Sequence, residues 1–259
     1  IRLMSDVPLG AFLSGGVDSS AVVALMSEAL PPAKVLRRAG KEPVRTFSIS
    51  FDLPLWDESL FSRAVAGHFG TNHIEVSCQP ALHLLPRVIR HLEQPQRWSG
   101  TTALLQLYDT AQKDVKVILT GEGSDEILGG YLHLTRYPLF AEEFPSENPL
   151  SRYLGIIKQL KPEKKKRLYS DAFNSAVQSK SHEPIINEKK VKSLSPFHQG
   201  IYLDVKLRLV NFVTLMLDRL SMASSIEARV PFLDHKLVEF AASVPPNVKL
   251  KDGMEKHLL

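Results

Sequence analysis

The sequence predicts an α/β fold in which a parallel β-sheet is flanked by helices, with a helical insertion and a helical C-terminal part. In the first half of the chain, short apolar runs alternate with stretches of helical periodicity. Strands joined through helices need crossover connections, and these give a parallel sheet covered by helices. Glycine-rich turns fall where predicted strands end and helices begin. Because ligands of such sheets bind beyond the carboxyl ends of the strands, these turns also predict where a site lies.

The predicted elements follow one another in a regular order. Gly10–Leu13 is a short apolar run that predicts a buried strand, and the periodicity of Val17–Leu30 predicts a helix. Val44–Phe51 is rich in residues that favour strands. Asp57 and Glu58 open a helix that runs to about His68, with Gly70 as its stop. The remaining predictions are a strand over His73–Val76, helices over Ala81–Leu92 and Thr102–Lys113, and a strand over Val115–Leu119.

The second half of the chain has a different texture. Between Pro138 and Pro196 charge rises, glycine nearly vanishes and the apolar positions suit surface helices. We therefore predict a helical insertion over roughly residues 140–205. Helical periodicity continues from Ile201 into Arg208–Leu220. Residues 1–259 are interpreted as one domain that contains this insertion.

The composition excludes several classes of protein. Of 259 residues, 44% are hydrophobic and 23% are charged, which is typical of a globular domain with a sizeable core. Cys78 is the only cysteine, so no disulfide can form within the chain, and this suits a reducing cytoplasm. We interpret its thiol as a bystander, because no activating partner can be assigned to it. No apolar run reaches the length of about 20 residues that a membrane-spanning helix needs.

The charge distribution says little about partners. The net charge is +4, and much of the excess lies in Lys161–Arg167 and Lys189–Lys192. These runs lack the interleaved aromatic residues that stack on bases, so we interpret them as solvated helix faces and predict no nucleic-acid partner. The nine histidines show no paired spacing of the kind that binds zinc.

The first glycine-rich turn has the sequence SGGVDSS at residues 14–20. Two glycines let the backbone approach a ligand closely, and the helix that follows offers unpaired N–H groups. The serine hydroxyls add donors, so the turn predicts a phosphate-binding loop. The Asp18 carboxylate would repel a bare phosphate, so its place in this loop makes sense only if it is a Mg²⁺ ligand. The loop is not a Walker A motif, and an ordinary turn with a helix cap stays open as the alternative.

The second glycine-rich turn has the sequence GEGSDE at residues 121–126, followed by Gly129-Gly130-Tyr131. Three carboxylates in five residues beside a phosphate site cost free energy through charge repulsion and desolvation, unless they bind a cation or transfer protons. Asp125 is the natural second Mg²⁺ ligand, and Glu122 is the natural group for proton transfer or substrate orientation. The alternative is that Asp125 and Glu126 only decorate the first turn of a helix.

A third segment runs from Ser225 to Asp234 and is broken by a proline at position 231. Its charged residues are expected either to form structural ion pairs with one another or to face the substrate. Together with Tyr131, Glu227 and Arg229 are the candidates for a substrate-facing wall.

Taken together, the three segments resemble the asparagine synthetase family. SGGVDSS at 14–20 is similar to the pyrophosphate loop of ATP pyrophosphatases (PP-loop enzymes), which share an adenine-nucleotide α-hydrolase-like fold. The combination with GEGSDEILGGY at 121–131 and EARVPFLDHKLVEFA at 227–241 is far more specific to the family. The resemblance covers nearly the whole chain and is weakest across the insertion.

This resemblance implies a reaction. ATP and aspartate would give β-aspartyl-AMP and pyrophosphate, and ammonia would then attack the acyl-adenylate to release asparagine and AMP. The ammonia would come from glutamine, through a glutaminase domain or subunit that nothing in this chain resembles. The resemblance also implies a cytoplasmic enzyme, compatible with a homodimer, that uses ATP and Mg²⁺. Family relatives that cyclise or aminate other carboxylates, and a non-catalytic synthetase-like domain, remain open as alternatives.

The resemblance also assigns roles to individual residues. Glu122, Asp18 and Asp125 would be catalytic, and the two aspartates would hold Mg²⁺. The family places a further phosphate-contacting lysine beyond the segment that matches Met254–Leu259, so we expect the synthetase site to extend past this chain. The residues expected to bind ATP and pyrophosphate are Leu13, Ser14, Gly15, Gly16, Asp18, Ser19, Ser20, Ile49, Thr120 and Gly121.

Overall fold

The computed structural model of the chain describes residues 2–30, 43–53, 57–79, 81–95, 100–143, 148–157, 162–178, 186–251 and 254–259. The chain divides into two compact units. The first unit consists of Ile1–Ser124, Val210–Ser243 and Leu259, and the second consists of Asp125–Leu209 and Val244–Leu258. Among the described residues, no helix is both long enough and apolar enough to cross a bilayer.

A parallel sheet forms the centre of the first unit. Its strands lie in the order β3-β2-β1-β4-β5, and every neighbouring pair is parallel. This confirms the predicted fold class of a parallel sheet flanked by helices. The strands are β1 (Leu9–Phe12), β2 (Arg45–Phe51), β3 (Asn72–Cys78), β4 (Val117–Leu119) and β5 (Glu227–Arg229).

Helices flank this sheet and bury its apolar side chains. A buried cluster joins strand residues such as Phe47 and Ile118 to helix residues such as Leu105 and Leu220, all at 0% exposure. The cluster is the first unit's core. The helices of this unit are α1 (Val17–Ala29), α2 (Ser59–Phe69), α3 (Leu85–Leu92), α4 (Gly100–Ala111), and, after the second unit, α12 (Thr214–Ala223) and α13 (His235–Ser243).

The start of α2 shows how the sequence sets a boundary. The Asp57 carboxylate accepts hydrogen bonds from the backbone N–H and the hydroxyl of Ser59 at 3.3 and 2.8 Å. It also accepts one from the backbone N–H of Phe51, the last residue of β2, at 3.3 Å. These bonds, led by the one from the Ser59 hydroxyl, hold the pKa of Asp57 below its usual value. At the other end, Gly70 adopts the left-handed conformation, with φ of 64°, and stops the helix as predicted.

The predicted helices and strands of this unit are found within a few residues of their expected bounds, with two differences. The stretch 81–92 was predicted as one helix, but it contains a 3₁₀ turn at Leu82–Leu84 before α3. Pro86 explains the break, because proline favours the first turn of a helix and cannot continue one. The other difference is β5, which the sequence did not predict as a strand.

The second unit is helical among its described residues. Two buried clusters hold it together, one around Tyr137, Tyr153, Val191 and Leu203, and the other around Leu134, Phe197 and Ile201. Its elements are α5 (Ser124–Leu128), α6 (Leu132–Glu143), α7 (Pro149–Ile157), α8 (Pro162–Leu168), α9 (Asp171–Gln178), α10 (Glu188–Lys192), α11 (Pro196–Leu203), a π-helix (Asp204–Val213) and α14 (Pro246–Lys249). Two of these elements extend into the first unit, which contains the first residue of α5 and the last four residues of the π-helix.

Candidate active site

The two glycine-rich loops follow neighbouring strands at the switch point of the sheet. From β1 the chain builds β2 and β3 on one side, and it then returns to place β4 and β5 on the other side. β1 pairs with β4 directly, with Leu9 opposite Val117 and Ala11 opposite Leu119. The loop at 14–20 and the loop at 120–123 therefore leave the same edge of the sheet side by side. This is the position at which open α/β sheets bind ligands.

The first loop is wound around the N-terminus of α1 by its own hydroxyls. Ser14 Oγ accepts from the backbone N–H of Gly16 at 3.2 Å and lies 3.1 Å from Ser19 Oγ. Ser19 Oγ accepts from the backbone N–H of Ser14 at 3.2 Å and donates to the Gly16 carbonyl at 3.1 Å. Gly16 caps α1 without a side-chain hydrogen bond to its first turn. The first N–H groups of α1 thus keep the capacity to bind an anion.

Gly15 shows why the loop needs glycine. Its φ is +89°, and a Cβ built there would lie 2.4 Å from Phe61 Cβ and 2.5 Å from the Ser62 nitrogen in α2. Any other residue would be strained by both the dihedral angle and the contact. Gly15 therefore lets α2 pack directly on the loop.

Ser20 carries an unsatisfied donor at this helix end. Its Oγ is buried and has no hydrogen-bond partner among the described residues. A buried hydroxyl without a hydrogen-bond partner destabilises the folded state by about 1–3 kcal/mol. Such atoms in a native fold often belong to a site whose ligand supplies the missing bond. This fits the prediction that Ser20 helps to hold an anion.

The second loop lies against the first with no room to spare. A Cβ at Gly121 would lie 2.9 Å from the backbone nitrogen of Ser19 and 3.0 Å from Asp18 Cβ. Ser124 Oγ donates to Asp18 Oδ1 at 2.7 Å, which holds the half-buried carboxylate in one orientation. No local sequence pattern singles out Ser124. Its role needs the contact between two loops that are 106 residues apart.

Glu122 stands exposed on the second loop. Its backbone N–H donates to Thr120 Oγ1 at 3.4 Å, which tightens the turn. Burial raises the pKa of Tyr108, and the negative charge of Glu122 adds to that shift. The Tyr108 hydroxyl is buried without a hydrogen-bond partner among the described residues. Glu122 thus combines solvent access with a position on the loop that follows β4.

The residues predicted to line a nucleotide pocket lie at the carboxyl ends of three adjacent strands. Leu13 follows β1, is 1% exposed and donates its backbone N–H to the Phe47 carbonyl at 2.8 Å. Ile49 lies in β2 and packs against the core, and Thr120 follows β4 with 3% exposure. These three residues shape the floor of the sheet edge that carries both loops.

Asp125 belongs to the second unit, where a lysine sits against it. Lys256 Nζ lies 2.6 Å from Asp125 Oδ1. Among the described residues, no group of three or more His, Cys, Asp or Glu side chains could hold a metal by itself. Mg²⁺ commonly binds through one or two carboxylates and takes its other ligands from phosphate and water. Asp125 supplies a carboxylate of the kind that this ion binds, and the Lys256 ammonium beside it shows that the carboxylate already attracts positive charge.

Buried Glu126 and half-buried Tyr131 form a hydrogen-bonded pair in the second unit. Tyr131 Oη donates to Glu126 Oε1 at 2.9 Å, and Arg208 Nη1 donates to the same oxygen at 3.1 Å. The Arg208 guanidinium also lies 4.1 Å from the centre of the Tyr131 ring. Burial raises the pKa of Glu126. Tyr131, predicted as part of a substrate-facing wall, therefore directs its hydroxyl to Glu126 within its own unit.

The same network continues through a second buried carboxylate. Asp204 is 0% exposed, and its Oδ1 accepts from Tyr153 Oη at 2.5 Å and lies 2.8 Å from His133 Nε2. Arg208 Nη1 also donates to Asp204 Oδ2 at 3.4 Å. One guanidinium thus serves two buried carboxylates. Sequence patterns gave no signal for this network, because its members come from three separate stretches of the chain that only the fold brings together.

The third segment forms β5 and is tied to the N-terminal residues. Arg229 Nε donates to Glu227 Oε1 at 2.6 Å, and this bond holds the pKa of Glu227 below its usual value. Arg229 Nη1 donates to the carbonyls of Arg2 and Met4, each at 2.8 Å. Asp234 pairs with Arg2 at 3.3 Å. Of the two roles considered for this segment, these bonds favour structural ion pairing.

The chain is similar to known proteins over its whole length. A family model described as asparagine synthase matches residues 1–259. The chain is 29% identical over 299 residues to asparagine synthetase (glutamine-hydrolyzing) 1 of Bacillus subtilis, covering 100% of this chain and 44% of that protein. It is 31% identical over 266 residues to the human asparagine synthetase (glutamine-hydrolyzing), covering 100% of this chain and 36% of that protein.

The chain thus spans about two fifths of the length of these curated relatives. Among solved structures, an NH3-dependent NAD synthetase from Campylobacter jejuni matches at a TM-score of only 0.33 and 15% identity, over 70% of this chain and 91% of that chain. That score is too low to support an argument. The family model, in contrast, covers every residue, and the chain belongs to the asparagine synthase family.

Proposed function

We propose that this chain carries the ATP-dependent synthetase reaction of asparagine formation. In the first step the β-carboxylate of aspartate attacks the α-phosphorus of ATP, which forms β-aspartyl-AMP and releases pyrophosphate. In the second step ammonia attacks the acyl carbon, and asparagine and AMP leave. The curated relatives that match the whole chain are named asparagine synthetases, which supports this choice of reaction.

One observation carries the proposal: the two glycine-rich loops lie side by side at the switch point of the sheet. Attack on the α-phosphate needs two anions held in line and a stabilised pyrophosphate leaving group. The first N–H groups of α1 and the hydroxyls of Ser14, Ser19 and Ser20 are suited to hold that pyrophosphate. Gly121 lets the second loop approach them closely.

The carboxylates take different roles in this proposal. Asp18, oriented by Ser124, and Asp125 would hold Mg²⁺. When bound, this ion would neutralise charge on the pyrophosphate as it leaves. Glu122, which is exposed on the second loop, would accept a proton from the attacking ammonia.

The partners follow from the reaction. Aspartate and ammonia are the proposed substrates, with ammonia supplied from glutamine by a glutaminase domain or subunit, as the names of the relatives suggest for those proteins. We also propose a cytoplasmic site for the reaction, since ATP and a reduced Cys78 both suit that compartment.

The decisive experiment measures pyrophosphate release from ATP by the 259-residue chain with Mg²⁺ and ammonium, with and without aspartate. Release that depends on aspartate, with asparagine and AMP formed in equal amounts, would support the proposal. If release needs a different carboxylate, that carboxylate and not aspartate is the acceptor. If ATP binds without release under any of these conditions, the same assay on a chain extended past residue 259 decides between a site that needs a downstream segment and a non-catalytic domain.

A first variant tests the metal assignment. We expect Asp18→Asn to lower the rate of pyrophosphate release by roughly 10²-fold or more, because it removes a charged ligand where charge develops in the transition state. Asp171→Asn is a matched control, since Asp171 also lies in the first turn of a helix and is exposed. The assignment fails if both variants keep the activity of the parent chain.

A further inference from the structure

An ammonium group of the chain itself lies against the Asp125 carboxylate. Lys256 Nζ lies 2.6 Å from Asp125 Oδ1, the distance of a charge-assisted hydrogen bond. The Lys256 side chain is 12% exposed and that of Asp125 is 28% exposed, so water screens this pair only in part. Both residues belong to the second unit.

The space around this pair is built for it. A Cβ at Gly130 would lie 1.9 Å from Lys256 Cε and 2.1 Å from Asp125 Oδ1. The lysine stem and the carboxylate therefore occupy the volume that any larger residue at 130 would fill. Lys256 itself has φ of 51°, a conformation that few residues other than glycine adopt. The backbone thus holds an unfavourable dihedral angle at the residue that brings the ammonium to Asp125.

The segment that carries Lys256 is attached to the same short helix at a second point. Lys249 Nζ donates to the Ile127 carbonyl in α5 at 3.1 Å, and Lys249 is 0% exposed. The backbone N–H of His257 donates to the Lys249 carbonyl at 3.1 Å, and Lys251 forms a backbone bridge with Met254. One end of α5 is held through Ile127 and the other through Asp125. The position of Lys256 is therefore fixed by the fold of this segment.

A carboxylate oxygen in such close contact with an ammonium group has limited capacity for a divalent cation. The like charges repel each other, and Mg²⁺ requires near-ideal octahedral ligands at short distances. We propose that Lys256 is the resident counter-ion of Asp125, and that a divalent cation gains full use of Asp125 only as the Lys256 ammonium withdraws. Lys256 then couples occupation of the metal site to the position of residues 254–258. This inference rests on the proposed role of Asp125 as a metal ligand.

The test is a titration of the full chain with Mn²⁺, followed by the loss of the EPR signal of free Mn²⁺. We expect Lys256→Met to bind Mn²⁺ roughly three- to tenfold more tightly than the parent chain, because a competing ion pair of this kind has been removed. Lys251→Met is the matched control, since Lys251 is exposed in the same segment and its loss changes net charge equally. It should bind Mn²⁺ as the parent chain does.

The remaining variants separate the possible failures. Lys256→Gln gives a second neutral side chain, and thermal melting of each variant shows that the fold is kept. Equal or weaker Mn²⁺ binding in both Lys256 variants, with binding lost in Asp125→Asn, would overturn the counter-ion proposal and leave the metal assignment intact. Unchanged binding in Asp125→Asn would instead remove Asp125 from the metal site, and the counter-ion proposal would fall with that assignment.

Discussion

Close contact between backbones decides which side chains the candidate active site tolerates. At Gly121 the nearest atoms are the Ser19 backbone nitrogen and Asp18 Cβ, neither of which can rotate out of the way. At Gly130 the nearest atoms belong to the ends of flexible side chains. A methyl group at Gly121 would therefore push the two loops apart.

Gly121→Ala tests this contact. We expect pyrophosphate release to fall by roughly 10²-fold, because the loops that position the reacting groups would shift by a few tenths of an ångström to 1 Å. The free energy of unfolding should fall by about 1–3 kcal/mol, as for other overpacked sites. Gly67→Ala in α2 is the control, since a Cβ there meets nothing within 4 Å. Full activity in Gly121→Ala would show that the loops need not touch during the reaction.

Residues that act through tertiary contacts were the ones that the sequence could not reveal. The glycines and Asp18 can be identified from the sequence, because they lie after a predicted strand and before a predicted helix. Ser124 becomes meaningful only beside Asp18, and Lys256 only beside Asp125. No local pattern links such partners, because the contact is created by the fold.

At the scale of elements, periodicity and turn residues predicted the sheet and its flanking helices well. Strands of seven residues such as β2 and β3 have enough apolar and β-branched side chains to be recognised. β5 has three residues, two of them charged, and no such pattern. It forms because its backbone pairs with β4, and because Thr120 donates its N–H to the Arg229 carbonyl at 2.9 Å. The local sequence of a segment carries no signal for strand pairing that a neighbouring strand imposes.

The short helix α5 depends on support from outside it as well. A helix of five residues is too short to be stable on its own. The buried Lys249 ammonium stabilises its C-terminal end by donating to the Ile127 carbonyl. Burial lowers the pKa of Lys249 to about 8. The charged form of this lysine is therefore disfavoured in the folded chain.

This shift predicts how stability depends on pH. Between about pH 8 and the unfolded value near 10.5, the unfolded chain binds more protons at Lys249 than the folded chain does, so stability rises with pH in that window. We expect the free energy of unfolding of the parent chain to increase relative to that of Lys249→Met between pH 7.5 and pH 10. Urea denaturation at several pH values measures the difference.

The comparison is made between variants because other groups titrate in the same range. Lys251→Met lies on the surface of the same segment, and its difference from the parent chain should stay flat with pH. A flat difference for Lys249→Met as well would mean that Lys249 keeps its normal affinity for protons in the folded chain.

At the scale of the whole chain, the second glycine-rich motif runs across the boundary between the two units. Ser124 is the last residue of the first unit's opening segment, and Asp125 is the first residue of the second. Each unit has buried clusters of its own, with Leu105 in the core of the first and Leu203 in that of the second. The core of each unit is thus built from side chains of that unit alone among the described residues.

Separate cores predict separate responses to core substitutions. We expect Leu203→Ala, which truncates a fully buried side chain, to destabilise the second unit by about 2–5 kcal/mol. Amide hydrogen exchange should then accelerate over α6, α7 and α11, while β1 and β4 keep their protection, because units with their own cores can open separately. Leu105→Ala should give the opposite pattern. Equal loss of protection in both units from either substitution would show instead that the chain unfolds as one cooperative body.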